Sequence, residues 1–157
     1  ASKVQELSRY RSEFFGKLRK IIGTRRDIRI SGDRFIFQSE VLFASASADI
    51  RDSGRFKIIK LAQTLSKISK QIPRNIDWVL QVDGHTDHLP INTEKFPSNW
   101  ELSTARAVSV VKLLIENGLP AERLVAAGYG EFHPIHKTIS TDSRKRNRRI
   151  EFKLTNR

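Results

Sequence analysis

The sequence predicts an α+β domain: a two-layer α/β sandwich of βαβαβ type, with helices on one face of a mixed sheet and an extra N-terminal helix. Three observations carry this. Trp78, Leu80 and Val82 alternate with Val79, Gln81 and Asp83, and Ile150, Phe152 and Leu154 alternate with Arg149, Glu151 and Lys153, which is strand periodicity. Between such runs, apolar residues recur at helical spacing, as in Ile58, Leu61, Ala62, Leu65, Ile68 and Ile72. The chain has 157 residues and shows no internal repeat, which suits one domain of ordinary size.

The elements follow in order. Residues 3–22 read as a helix, with Val4, Leu7, Phe14, Phe15, Leu18, Ile21 and Ile22 near helical spacing, cations in the last turns and Gly23 as the stop. Residues 1–26 are therefore set apart as a linker helix, and 27–157 as the domain. A juxtamembrane helix, a dimerisation helix and a simple packed helix are the other readings. Asp27-Ile28-Arg29-Ile30 and Arg34-Phe35-Ile36-Phe37-Gln38 flank the turn Ser31-Gly32-Asp33, predicting a hairpin. Val41-Leu42-Phe43 is a short apolar run before the small residues 44–48. The long helix containing Ile58 closes at Pro73. The strand containing Trp78 runs into Gly84-His85-Thr86-Asp87, and a polar loop with Pro90 and Pro97 follows. Ser98-x-x-Glu101 reads as a capping box. The helix it starts carries Ala107, Val108, Val111, Leu114 and Ile115 and stops at Gly118 and Pro120. Leu124 to Ala127 is a short strand entering Gly128-Tyr129-Gly130. A long polar loop, 133–147, then leads to the closing strand.

Composition removes several classes of function. With no Cys, disulfides, thiolate metal sites and a cysteine nucleophile are excluded. No apolar run approaches the roughly 20 residues of a membrane-spanning helix. There is no signal-peptide pattern and no Met at all, so the sequence reads as a piece of a longer protein whose anchoring segment lies outside it. The formal charge of +12 attracts polyanions. Yet the interleaved aromatics of a single-strand binding face are missing, as are helix-turn-helix and zinc-finger spacings. A solvated basic surface accounts for the charge equally well. The densest basic run, 144–149, has the same two readings, a polyanion patch or a solvated loop.

The chemistry concentrates around Asp87 and Arg106. Asp87 lies just past a strand's C-terminal end, and Arg106 lies on the helix that begins nearby, on the flank it shares with Leu102 and Val110. A ligand bearing both an ammonium and a carboxylate would satisfy both, and arginine grips carboxylates bidentately. The helix N-terminal amides near Asn99 and Trp100 add an anion-attracting rim. A structural Asp87–Arg106 bridge tying loop to helix explains the same spacing.

Four blocks in one order add to this reading: Val82-Asp83-Gly84-His85-Thr86-Asp87; Ser98-Asn99-Trp100-Glu101-Leu102-Ser103-Thr104-Ala105-Arg106-Ala107; Gly128-Tyr129-Gly130; and Asn147-Arg148-Arg149-Ile150-Glu151. Together they resemble the OmpA/MotB C-terminal domain family over residues 34–155. The wording of 98–107 and the long loop before it look most like the MotB branch. Leu42-Phe43 with Ser45-Ala46-Ser47-Ala48 resembles that branch's first core strand and its exit. The resemblance implies non-covalent binding of peptidoglycan in a bacterial periplasm, by a domain that anchors a membrane protein to the wall and catalyses nothing. It implies that Asp87 and Arg106 hold the diaminopimelate of the stem peptide, Arg106 taking a carboxylate and Asp87 the ammonium. Thr86, Asn99, Leu102 and Ser103 would line the site, with Asn147 and Arg149 flanking it. Many OmpA-type members carry an Asp where this chain has Ala44. No cofactor, metal or nucleic acid is expected. The implied partners are peptidoglycan, a membrane reached through the absent segment, and a second copy paired through the N-terminal helix.

Two competing classes remain at this stage. One is a basic module for nucleic acid or anionic lipid. The other is a zinc-dependent hydrolase built on His85, His88, His133 and His136, which no nucleophile elbow or His-Glu-x-x-His pattern supports.

Overall fold

The computed structural model describes residues 3–22 and 28–157, with side chains from residue 5 onward. The Gly23 stop, Asp27, the Val4 side chain and the boundary at 26/27 lie outside the described residues. The elements are α1 (Lys3–Ile22), β1 (Ile28–Ser31), β2 (Arg34–Gln38), α2 (Ser39–Leu42), α3 (Asp52–Ser69), β3 (Trp78–His85), α4 (Asn99–Glu116), a 3₁₀ turn (Ala121–Arg123), β4 (Leu124–Gly128), α5 (Thr141–Asn147) and β5 (Arg149–Asn156).

The strands form a five-stranded mixed sheet in the order β1-β2-β5-β3-β4. Only β3 and β4 run parallel, joined through α4. The other pairs are antiparallel. Alternation sorts the two faces. Phe35 and Phe37 of β2, Leu80 and Val82 of β3, and Ile150, Phe152 and Leu154 of β5 point into one core with Ile58, Leu61, Leu65 and Ile68 of α3 and Val110 and Leu114 of α4. Gln81, Asp83, His85, Arg149 and Glu151 take the other face.

Two elements differ from the sequence reading. The 41–43 run is not the first core strand. Ser39–Leu42 makes a single helical turn, and Phe43 forms only an isolated bridge to Ile50. The strand that opens the βαβαβ series is β2. Inside the expected 133–147 loop lies α5, whose N-cap Ser140 accepts from the Ser143 amide.

The helix expected as a linker packs into the domain. Leu7, Tyr10, Phe14, Phe15 and Leu18 of α1 are buried in the common core. Rings of Phe14, Phe15, Phe35, Phe37 and Phe152 make successive contacts at 5.2–5.8 Å between centroids. The Arg11 guanidinium donates to the Leu154 carbonyl at the end of β5. The apolar face of α1 is thus used inside the molecule.

A pair of glycines sets the position of α4. Gly84 and Gly128 are register partners on β3 and β4. A Cβ on Gly84 would sit 2.1 Å from the Ser103 carbonyl oxygen, and one on Gly128 2.0 Å from Thr104 Oγ1. Without side chains there, α4 lies directly on the sheet at Ser103 and Thr104. This seats the N-terminal half of α4 beside the loop that leaves β3.

Candidate functional site

At that junction lies a cleft of about 430 Å³, lined by α2 and the turn after it, by the loop after β3, by α4, and by Arg148 between α5 and β5. Asp87, Arg106, Thr86, Asn99 and Leu102, all expected at the site, line it. Asp87 and Arg106 do not bond to each other in the hydrogen-bond network, so the simple bridge reading fails.

Arg106 is buried on α4. Its Nε donates to the Ser47 carbonyl at 2.8 Å and one Nη to the Ala44 carbonyl at 3.2 Å, and its guanidinium lies 5.1 Å from the Phe43 ring centroid. It therefore organises the turn after α2. Burial pushes its pKa down to about 10, with Arg148 adding repulsion, and it remains charged at neutral pH.

Asp87 is also buried. Its Oδ1 accepts from the Leu89 amide at 3.0 Å and its Oδ2 from Arg148 at 2.6 Å. Arg148 reaches Glu40 Oε1 with its Nε. Burial opposes the Arg148 charge, but its hydrogen bonds to Asp87 and Glu40 outweigh that and hold its pKa above the usual value. The other Glu40 oxygen, Oε2, is buried without a partner among the described residues, and so is the hydroxyl of the preceding residue, Ser39. The cleft thus offers two guanidiniums and two carboxylates, with one carboxylate oxygen unclaimed.

The remaining expected residues do not line this cleft. Ser103 is part of the helix seat: its hydroxyl donates to the Trp100 carbonyl and accepts from the Gly130 amide. Asn147 braces the 133–147 segment, accepting from the Ile135 and His136 amides and donating to the His136 carbonyl. Arg149 points to the far face of the sheet, where it binds Glu151 and the Asn147 and His133 carbonyls. Of the two neighbours Arg148 and Arg149, Arg148 is the one at the cleft. Successive residues entering a strand face opposite ways, so an offset of one exchanges the faces. Glu40 and Arg148 were missed. The signal for Arg148 was its place directly before the alternating run 149–154. Glu40 carried no local signal beyond its position before the Leu42-Phe43 block.

A second charged cluster occupies the far face. Asp83, His85 and Glu151 are buried, with potential ligand atoms within 4.8 Å of one another. Arg34 and Arg149 each bind one Glu151 oxygen. Burial raises the Glu151 pKa, but these two hydrogen bonds outweigh it and bring it below the usual value. Arg149, with only a shared carboxylate to offset its burial, shifts downward. His85 stacks on Tyr129 at 4.8 Å, and burial followed by Arg149 repulsion pushes its pKa down to about 3. Guanidiniums already neutralise this carboxylate, so a cation would have to displace them. His88 is exposed and is not part of the cluster.

The comparisons agree with the geometry. The family model described as the OmpA family matches residues 42–148. Motility protein B of Bacillus subtilis is 39% identical over 116 residues, covering 73% of this chain and 41% of that protein's length. Among solved structures, a MotB-like protein from Desulfovibrio vulgaris superposes with a TM-score of 0.76 at 28% identity, covering 98% of each chain. The cell wall anchor of the T6SS from Pseudomonas aeruginosa superposes with a TM-score of 0.71 at 32% identity, covering 93% of this chain and 96% of that one. With its mixed sheet, its glycine-seated helix and the cleft between them, the chain belongs to the OmpA family.

Proposed function

We propose that this is a peptidoglycan-binding domain of the bacterial periplasm, which anchors a membrane protein to the cell wall by gripping the diaminopimelate of the stem peptide without reacting with it. One observation carries the reading: a formally neutral cleft of two guanidiniums and two carboxylates, in which a Glu40 oxygen has no partner. The side chain of diaminopimelate ends in both an ammonium and a carboxylate. Its carboxylate fits Arg106 and Arg148, and its ammonium fits Asp87 and the free Glu40 oxygen. Charge-assisted hydrogen bonds of this kind are the strong ones. Glu40 stands where it can supply the second acid that Ala44 does not. The relative described as a cell wall anchor supports the same reading.

Co-sedimentation with purified diaminopimelate-type sacculi tests it. The wild-type chain is expected to pellet, and Asp87→Ala and Arg106→Ala to stay in the supernatant. Binding that disappears at moderate salt equally in all three proteins would instead favour non-specific attraction by the +12 charge.

A further inference from the structure

Beside the cleft, Trp100 and Phe132 lie ring against ring, centroids 5.1 Å apart and planes 27° from parallel. Both are exposed, Trp100 by 52% and Phe132 by 59%. Large rings in open solvent that already stack on each other leave their outer faces to a ligand as a platform, and both are exposed among the described residues.

The platform is continuous with the cleft. Asn99 lines the cleft, and Trp100 is the next residue, its Cα about 3.8 Å away. Asn99 Nδ2 donates both to the Leu89 carbonyl on the cleft rim and to Glu131 Oε1. Phe132 follows Glu131 directly. The rim therefore runs from Leu89 through Asn99 and Glu131 to the two rings.

Its charge selects among stacking ligands. Glu131, held on the rim by Asn99, precedes Phe132, and Glu101 follows Trp100. Glu101 is held by the Ser98 hydroxyl, and this hydrogen bond keeps its pKa below the usual value. A carboxylate on the rim repels phosphates, which argues against stacked bases despite the basic chain. It accepts hydrogen bonds from hydroxyl and amide N–H groups. An N-acetylated hexosamine presents those groups around its edge and C–H bonds on its face.

We propose that Trp100 and Phe132 form a sugar-stacking subsite for the glycan strand to which the stem peptide is attached. The inference rests on the cleft binding that peptide. One ligand would fill both: two extended residues and the lactyl link between diaminopimelate and the sugar span about 10 Å, and the Asn99–Glu131 hydrogen bond joins the two parts of the rim. The cleft reads the peptide, and the rings hold the sugar.

Calorimetry on the full chain with three probes tests this: a diaminopimelate-containing stem tripeptide, the same peptide carrying its disaccharide, and a single-stranded oligonucleotide. The disaccharide is expected to tighten wild-type binding by about three- to tenfold over the peptide alone, the scale of one aromatic stacking contact. Trp100→Ala and Phe132→Ala should each remove that gain while leaving affinity for the bare peptide unchanged. Both residues are exposed, so folding should survive the changes. Peptide binding with no gain from the disaccharide, a gain that persists in both variants, or oligonucleotide binding lost in those variants would overturn the sugar subsite and leave the proposed function standing. Failure of the bare peptide to bind would instead overturn the proposed function itself.

Discussion

The two charge clusters at the C-terminal end of β3 both pair carboxylates with arginines and hold their carboxylates differently. On the far face, Glu151 is closed: both its oxygens are bonded to arginines, and the group is buried. In the cleft, Asp87 and Glu40 share Arg148, Arg106 is engaged with backbone carbonyls, and one Glu40 oxygen is unclaimed. The far-face cluster keeps atoms unpartnered among the described residues too, Asp83 Oδ2 and both His85 nitrogens, so what sets the other one apart is that its unclaimed oxygen belongs to a residue lining a cleft of about 430 Å³. The difference comes from one residue of offset: Arg148 and Arg149 are neighbours whose side chains leave the chain toward opposite faces.

The largest expected effect breaks the closed cluster. Glu151→Gln leaves Arg34 and Arg149 without their carboxylate, and breaking a buried pair in this way costs about 3–5 kcal/mol. Urea unfolding should show that loss, while sacculus binding by the folded fraction stays unchanged. A loss of binding with no loss of stability would reverse the roles assigned to the two clusters.

His85 makes the closed cluster acid-sensitive. Its folded pKa, about 3, lies below the ordinary value of 6.5. Between those values the unfolded chain binds a proton that the folded chain refuses. Stability is therefore complete above pH 6.5 and is lost as pH falls toward 3, at up to about 1.4 kcal/mol per unit. Asp83, raised by burial, has the opposite sign, its contribution being lost as pH rises through its folded value. The His85→Phe variant isolates the histidine: subtracting its urea-midpoint profile from that of wild type should leave a slope confined to pH 3–6.5. An identical slope in the two proteins would contradict this.

In the cleft, Arg106→Ala should weaken binding of the stem tripeptide by about 1.5–3 kcal/mol, the range for hydrogen bonds to charged groups. It also releases the Ala44 and Ser47 carbonyls, so circular dichroism should accompany the titration. The smallest effect is expected from Glu40→Gln, which keeps an acceptor and removes its charge. A loss of about 1 kcal/mol in peptide affinity, with little change in thermal midpoint, fits the role of the unclaimed oxygen. No change in affinity would return the ammonium to Asp87 alone.

Most of this architecture can be read from periodicity. The hairpin, the α3 and α4 stripes, the Ser98–Glu101 cap and the alternation in β3 and β5 each rest on local spacing, and local spacing decides local structure. The 41–43 run misled because three apolar residues fit a strand or a helical turn equally well. The α5 helix was hidden by its polarity; its start shows only as Ser140 three residues before Ser143. Asp87 and Arg106 stand out in the sequence because their blocks are distinctive, and the fold brings both to one cleft. Glu40 does not stand out, since it reaches the cleft only by tertiary contact with Arg148, 108 positions later. Spacing alone does not separate Arg149 from Arg148, because facing depends on where the strand begins.

The central claim is that the cleft reads a zwitterion, and one pair of titrations tests it most directly. The stem tripeptide with diaminopimelate is compared with the same tripeptide carrying lysine, which keeps the ammonium and lacks the second carboxylate. Wild type should prefer diaminopimelate by about tenfold or more, one charge-assisted hydrogen bond, and Arg106→Ala should show a smaller preference, with Arg148 left as the one guanidinium for the second carboxylate. Equal affinities in wild type, or a preference undiminished in Arg106→Ala, would contradict it.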